Sequence, residues 1–201
     1  HDGWGMVTYY TEDFPEYVER QPHSVKEDSG VFQNSAQTLE RTHCKTVMVH
    51  FRRLSVGKSA ISNTHPFIHE QWSFCHNGTI EDSGKIPMKK LKSYGSTDSE
   101  IFFLYLMEQL ADPSNSAQSV EDRLKKAVEN IRANFKWSSL TFLLANGKTL
   151  YGYRLSQPQY DDYYTLYRAS PKSADILCSE PMPSANLDWK PLSQGELAVC
   201  S

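Results

Sequence analysis

Two amphipathic helices stand side by side in the middle of this sequence, with strand-like runs before and after them. Residues 97–111 open with Thr97 and Glu100 in the form of a capping box, and Ile101, Leu104 and Tyr105 begin an apolar stripe that Met107 and Leu110 extend. Asp112-Pro113 ends that pattern. Residues 119–134 follow with Val120, Leu124, Ala127, Val128 and Ile131 on one side and charged residues on the other, the signature of a helix that covers a sheet. An alternating βαβ fold needs one helix between successive strands, so two helices in a row between strand runs point to a layered α+β architecture.

The strands are uneven in clarity. Residues 139–145, the turn Asn146-Gly147 and residues 150–154 form the clearest hairpin. Residues 6–10 are β-branched and aromatic enough for a strand, and residues 45–51 are apolar enough at Val47, Met48 and Val49 to be expected buried on both faces. The latter delivers His50, Arg52 and Arg53 at its C-terminal end. Residues 72–75 read as a strand that stops at His76-Asn77-Gly78, and 164–168, 175–179 and 195–200 as further short strands. The polar stretch 11–37 is expected to be irregular, with short strand pieces near Val31-Phe32, and 55–70 to be a loop. No internal repeat or second domain is visible, so residues 1–201 are read as a single domain.

Composition excludes several function classes. With 21 basic against 24 acidic residues the net charge is −3, and no dense basic run offers itself to a nucleic acid. The longest apolar run, residues 101–107, falls well short of the roughly 20 residues that cross a bilayer. Cys44, Cys75, Cys178 and Cys200 are far apart and form no C-x-x-C pair, which suggests reduced thiols and a cytoplasmic protein. The sequence opens with His1 inside a dense motif, His1-Asp2-Gly3-Trp4-Gly5, so a processed leader or further upstream residues are expected.

Three segments place polar residues at strand ends and a helix start, where a rigid scaffold presents functional groups: His50-Phe51-Arg52-Arg53-Leu54-Ser55-Val56-Gly57, His76-Asn77-Gly78 and Gly95-Ser96-Thr97-Asp98-Ser99-Glu100. Singly, each has a plain structural explanation: a surface ion pair, a turn, a carboxylate at a helix N-terminus. In this order and spacing they resemble class II glutamine amidotransferases, whose nucleophile is an N-terminal cysteine. His1-Asp2-Gly3-Trp4-Gly5 looks like the glycine–tryptophan motif of the stand-alone branch of that family. Asn63-Thr64-His65-Pro66 looks like its Asn-x-His-Pro segment, and Cys178-Ser179-Glu180-Pro181 like its Ser-Glu-Pro strand.

The resemblance implies an N-terminal-nucleophile hydrolase fold, a four-layer αββα sandwich of antiparallel sheets, incomplete here at its N-terminus. It implies cleavage of the γ-amide of glutamine or a γ-glutamyl compound through a cysteine thioester, with no metal or other cofactor. Asn77 and Gly78 would supply the oxyanion donors, Arg52 the planar fork for the substrate's α-carboxylate, Ser55 a hydroxyl at that end, and Asp98 the partner of the α-ammonium. His50, His65 and His76 would be scaffold, because the base is the nucleophile's own α-amine. Cys75, beside the oxyanion motif, reads as a buried structural cysteine. The expected partners are the small-molecule substrate and either an ammonia-accepting protein or, where simple hydrolysis is the reaction, none.

Two other classes compete. One is a catalytically silent relative that keeps the γ-glutamyl pocket as a sensor or partner subunit, although Asn77 and Gly78 both remain in place. The other is a metal-dependent hydrolase on His65 and His69, whose i,i+4 spacing would bind zinc on a helix, but Pro66 makes that segment loop-like.

Overall fold

In the computed structural model, which describes residues 2–53 and 58–201, β1 (Gly3–Tyr9) is the centre of a three-stranded sheet. It pairs with β2 (Tyr17–Gln21) on one side and β3 (Thr46–Arg52) on the other, both antiparallel. Between them runs α1 (Ser29–Arg41). A second antiparallel sheet has the order β11-β7-β6-β5-β4, built from β4 (Phe67–His69), β5 (Trp72–Asn77), β6 (Thr141–Ala145), β7 (Leu150–Arg154) and β11 (Glu196–Cys200). The helices α2 (Asp98–Ala111) and α3 (Val120–Asn134) lie between β5 and β6 in sequence. A small sheet of β8 (Tyr167–Ala169), β9 (Ile176–Cys178) and β10 (Lys190–Pro191) has the order β10-β8-β9.

Strand alternation sorts the layers. Phe74, Phe142 and Tyr153 on the five-stranded sheet pack with Phe102, Phe103, Leu124, Val128 and Ile131 of α2 and α3. Phe74 stacks on Phe103 with ring centroids 5.2 Å apart. Each such side chain contributes about 1.5–3 kcal/mol by leaving water. The opposite face of that sheet, with Cys75 and Ala145, meets Val7, Tyr9 and Met48 of the three-stranded sheet. Tyr9 Oη crosses this inner layer, 2.8 Å from Ser73 Oγ and 3.2 Å from the Ala145 carbonyl. On the far side of the three-stranded sheet Phe32 of α1 packs edge-on against Trp4 at 5.3 Å and against Phe51 at 5.5 Å. The order helix, sheet, sheet, helix is the four-layer αββα sandwich of an α+β protein. No helix among the described residues is long and apolar enough to cross a membrane.

Two local expectations are corrected. β3 is not buried on both faces: Met48 points inward and is buried, while Val47, Val49 and Phe51 on the outer face are 39%, 38% and 42% exposed. Val31 and Phe32 lie in a helix instead of strand pieces. The stripe that selects the helix is Phe32, Ser35, Ala36 and Leu39, at i, i+3, i+4 and i+7, and two of its four members are too small to advertise it. The hairpin turn is as read, with Gly147 at φ 83° and Asn146 Oδ1 accepting from the Thr149 amide at 2.8 Å.

Candidate active site

Arg52 is the last residue of β3 and shares its inner face with Met48 and His50. Across the ladder these three oppose Gly3, Val7 and Gly5 of β1, in the pairs Gly3↔Arg52, Val7↔Met48 and Gly5↔His50. Gly5 has to lack a side chain, because a Cβ there would lie 2.2 Å from the His65 carbonyl oxygen. Arg52 is therefore held in a crowded layer and is buried. Burial draws its guanidinium down from its ordinary value, and the negative charges of Asp2 and Asp98 push it back up.

Asn77 ends β5, half-buried, and Gly78 follows. This Asn-Gly is not a two-residue hairpin. The chain continues antiparallel to the segment preceding β6, with Asn77 opposite Thr141 and Ile80 opposite Trp137. Three steps on one strand thus face four on the other, a one-residue bulge of the kind that re-aims groups beside active sites. Gly78 lies at this irregularity, where a Cβ would meet the Ser139 carbonyl oxygen at 2.1 Å. A backbone carbonyl cannot move aside, so only glycine fits.

Asp98 is the first residue of α2, buried, and its Oδ2 accepts from the Ile80 amide at 2.7 Å. That bond ties the helix start to Ile80, two residues beyond Gly78. The N-terminus of the helix favours the carboxylate through its unpaired N–H groups. Thr97 Oγ1 caps the helix by accepting from the Glu100 amide at 3.2 Å. The return arm of the expected capping box goes elsewhere: the Glu100 carboxylate accepts from the amides of Tyr94 and Gly95 at 2.9 and 2.7 Å. Asn63 pins the same loop, its Oδ1 accepting from the Ser96 amide at 2.8 Å while its Nδ2 donates to the Lys58 carbonyl at 2.9 Å.

Arg52, the Asn77-Gly78 turn and Asp98 are thus linked: Asp98 acts electrostatically on Arg52 and is hydrogen-bonded to the strand that continues from Gly78. Ser55 lies outside the described residues. Two cavities, of about 760 and 400 Å³, are found elsewhere: the first is lined by Trp137, Leu155, Ser156 and Gln194, the second by Arg168 and Asn186, and neither includes Arg52, Asn77 or Asp98. Sequence reasoning missed the Ser139 carbonyl, the Ile80 amide and Ser99. The first two are backbone groups that no side-chain motif signals.

The histidines and cysteines near the site are not built for proton or thiol chemistry. Burial pushes His50 down to about 4 and holds His65 and His76 below the usual imidazole range, so all three are neutral at pH 7. His50 and His65 pack ring to ring with centroids 4.2 Å apart. Cys75 is buried and desolvation lifts its thiol well above the ordinary value, which leaves little thiolate. His65 lies between a 3₁₀ turn, Ile61–Asn63, and β4, while His69 ends β4, so their i,i+4 spacing is not helical. Among the described residues no group of three or more His, Cys, Asp or Glu side chains could hold a metal ion.

The model of the family described as "Glutamine amidotransferases class-II" matches residues 1–176. The chain belongs to the class II glutamine amidotransferases. A Haemophilus influenzae protein provisionally named a glutamine amidotransferase is 33% identical over 107 residues, which cover 51% of this chain and 36% of that protein. An Escherichia coli protein with the same kind of name is 28% identical over 113 residues, 54% of this chain and 42% of that relative. The matched region therefore spans less than half the length of either relative. Among solved structures, glutamine phosphoribosylpyrophosphate amidotransferase from B. subtilis superposes with TM-score 0.68 at 15% identity, covering 98% of this chain and 40% of that one. A class II domain protein from Silicibacter pomeroyi gives 0.67 at 21%, covering 98% and 86%. At such identities these two structures speak to the fold of this family member, the sandwich described above.

Proposed function

We propose that this amidotransferase cleaves the γ-amide of glutamine or of a γ-glutamyl compound by acyl transfer. A cysteine thiolate adds to the γ-carbonyl carbon, the C–N bond breaks as the nitrogen takes a proton, and water then hydrolyses the thioester to glutamate. The thiol is that of an N-terminal cysteine. Cys44, Cys75, Cys178 and Cys200 all lie within the chain, with their nitrogens in peptide bonds, and cannot supply the α-amine base. In this reading Arg52 takes the α-carboxylate, Ser55 assists it, Asp98 takes the α-ammonium, and the Asn77 side-chain amide with the Gly78 N–H receives the charge on the oxyanion. The observation that supports it best is the linkage of a buried guanidinium, a buried carboxylate and an Asn-Gly bulge from three separate elements. The released ammonia or amine passes to water or to an accepting protein.

Protein bearing its N-terminal cysteine should release ammonia or amine from at least one member of a panel of L-glutamine and γ-glutamyl amides. No release from any of them would refute the activity. Steady-state kinetics then separate the roles. Asp98→Asn, which can still accept from the Ile80 amide, should raise KM roughly 10-fold or more with kcat little changed, because the α-ammonium contact exists before reaction. Asn77→Ala should lower kcat by about 10²–10³, since an oxyanion donor acts chiefly in the transition state. Changes confined to KM in both variants would contradict the assignment.

A further inference from the structure

The imidazole of His76 is enclosed between the two halves of the proposed site. Its Nε2 is 3.1 Å from the Ser139 carbonyl oxygen, the same atom that leaves no room for a side chain on Gly78. Its Nδ1 is 2.9 Å from Ser99 Oγ, on the residue that follows Asp98. A carbonyl only accepts, so Nε2 carries the hydrogen and donates to Ser139, and in the neutral ring Nδ1 accepts from the Ser99 hydroxyl. The ring is buried and packs against Phe102 edge-on with centroids 5.4 Å apart, which fixes its plane. One rigid side chain thereby spans from the strand behind the Gly78 bulge to the first turn of α2.

We propose that His76 is a positioning residue that holds the oxyanion turn, Asn77-Gly78, in register with the ammonium-binding carboxylate of Asp98. It touches no reacting atom. Its Ser139 arm sets the carbonyl wall against which Gly78 lies, and its Ser99 arm sets the start of α2. This rests on the reaction proposed above and adds to it a division of labour between the two arms.

The arms separate experimentally. Ser99→Ala removes only the helix arm and should raise KM for the γ-glutamyl substrate about 3–10-fold with kcat within twofold of the parent. His76→Phe keeps the ring packing, removes both arms, and should lower kcat at least 10-fold in addition to the KM increase. In the double variant the Ser99 change should add nothing to the KM of His76→Phe, because the arm is already lost. A parent-like KM for Ser99→Ala overturns the proposal, and this variant serves even if His76→Phe does not fold. Folded His76→Phe with parent kcat and KM and only a lowered Tm overturns it as well, since that is a purely structural role. Parent protein that releases no product overturns the reaction itself, whereas an active parent with unaltered variants overturns only the positioning role.

Discussion

The histidine cluster ties stability to pH. His50 has a pKa near 4 in the folded protein, against an ordinary value of 6.5, because burial penalises its cation and His76 and Arg52 lie nearby. Between those pH values the unfolded chain binds a proton that the folded chain refuses. The resulting stability is whole above pH 6.5 and is lost as pH falls towards 4, with a magnitude of order 3 kcal/mol for a shift of this size. Burial displaces His65 and His76 in the same direction. Denaturant titrations at pH 7 and pH 4.5 should therefore show a marked fall in unfolding free energy, and His50→Gln should make that fall smaller. An equal fall in the parent and in His50→Gln would show that His50 does not titrate as described.

The start of α2 carries more than its own cap. Thr97→Ala removes one acceptor and should cost about 1 kcal/mol, as N-cap losses do. Glu100→Ala strips a carboxylate from two loop amides, each charge-assisted bond being worth roughly 1.5–3 kcal/mol, and should cost distinctly more. Urea-unfolding midpoints compare the two variants, and equal losses would mean that the Tyr94-Gly95 bonds contribute little. The sequence signalled Thr97 and Glu100 correctly as a helix start, but not where the Glu100 side chain turns, since nothing local distinguishes the Thr97 amide from those of Tyr94 and Gly95. The helices α2 and α3 and the β6–β7 hairpin were legible because their periodicity and turn residues agree. α1 was not, because its stripe contains Ser35 and Ala36 and its N-cap, Asp28, makes no side-chain capping bond. β3 misled because its apolar run continues onto a face that stays partly exposed. Arg52, Asn77, Gly78 and Asp98 could be picked out by motif, but the Ser139 carbonyl that walls in Gly78 and the Ile80 amide that binds Asp98 could not.

At the scale of the whole molecule, the sandwich brings separate elements to the site. The two sheets meet through Val7, Tyr9, Met48, Cys75 and Ala145, and beyond this apolar layer β3 ends at Arg52 and β5 at Asn77. The helical layer then supplies Asp98 from the side of the five-stranded sheet that carries Phe74 and Phe142. In the proposed reaction this guanidinium and this carboxylate take the two charged ends of an α-amino acid, whichever amine leaves the γ-position. The most direct measurement is calorimetric titration with L-glutamate, the product common to all the proposed substrates. The account predicts saturable binding that weakens at least about 10-fold in both Arg52→Lys, which replaces the planar two-pronged donor by a point charge, and Asp98→Asn, which removes the carboxylate's charge. Glutamate binding of parent strength in either folded variant would contradict it.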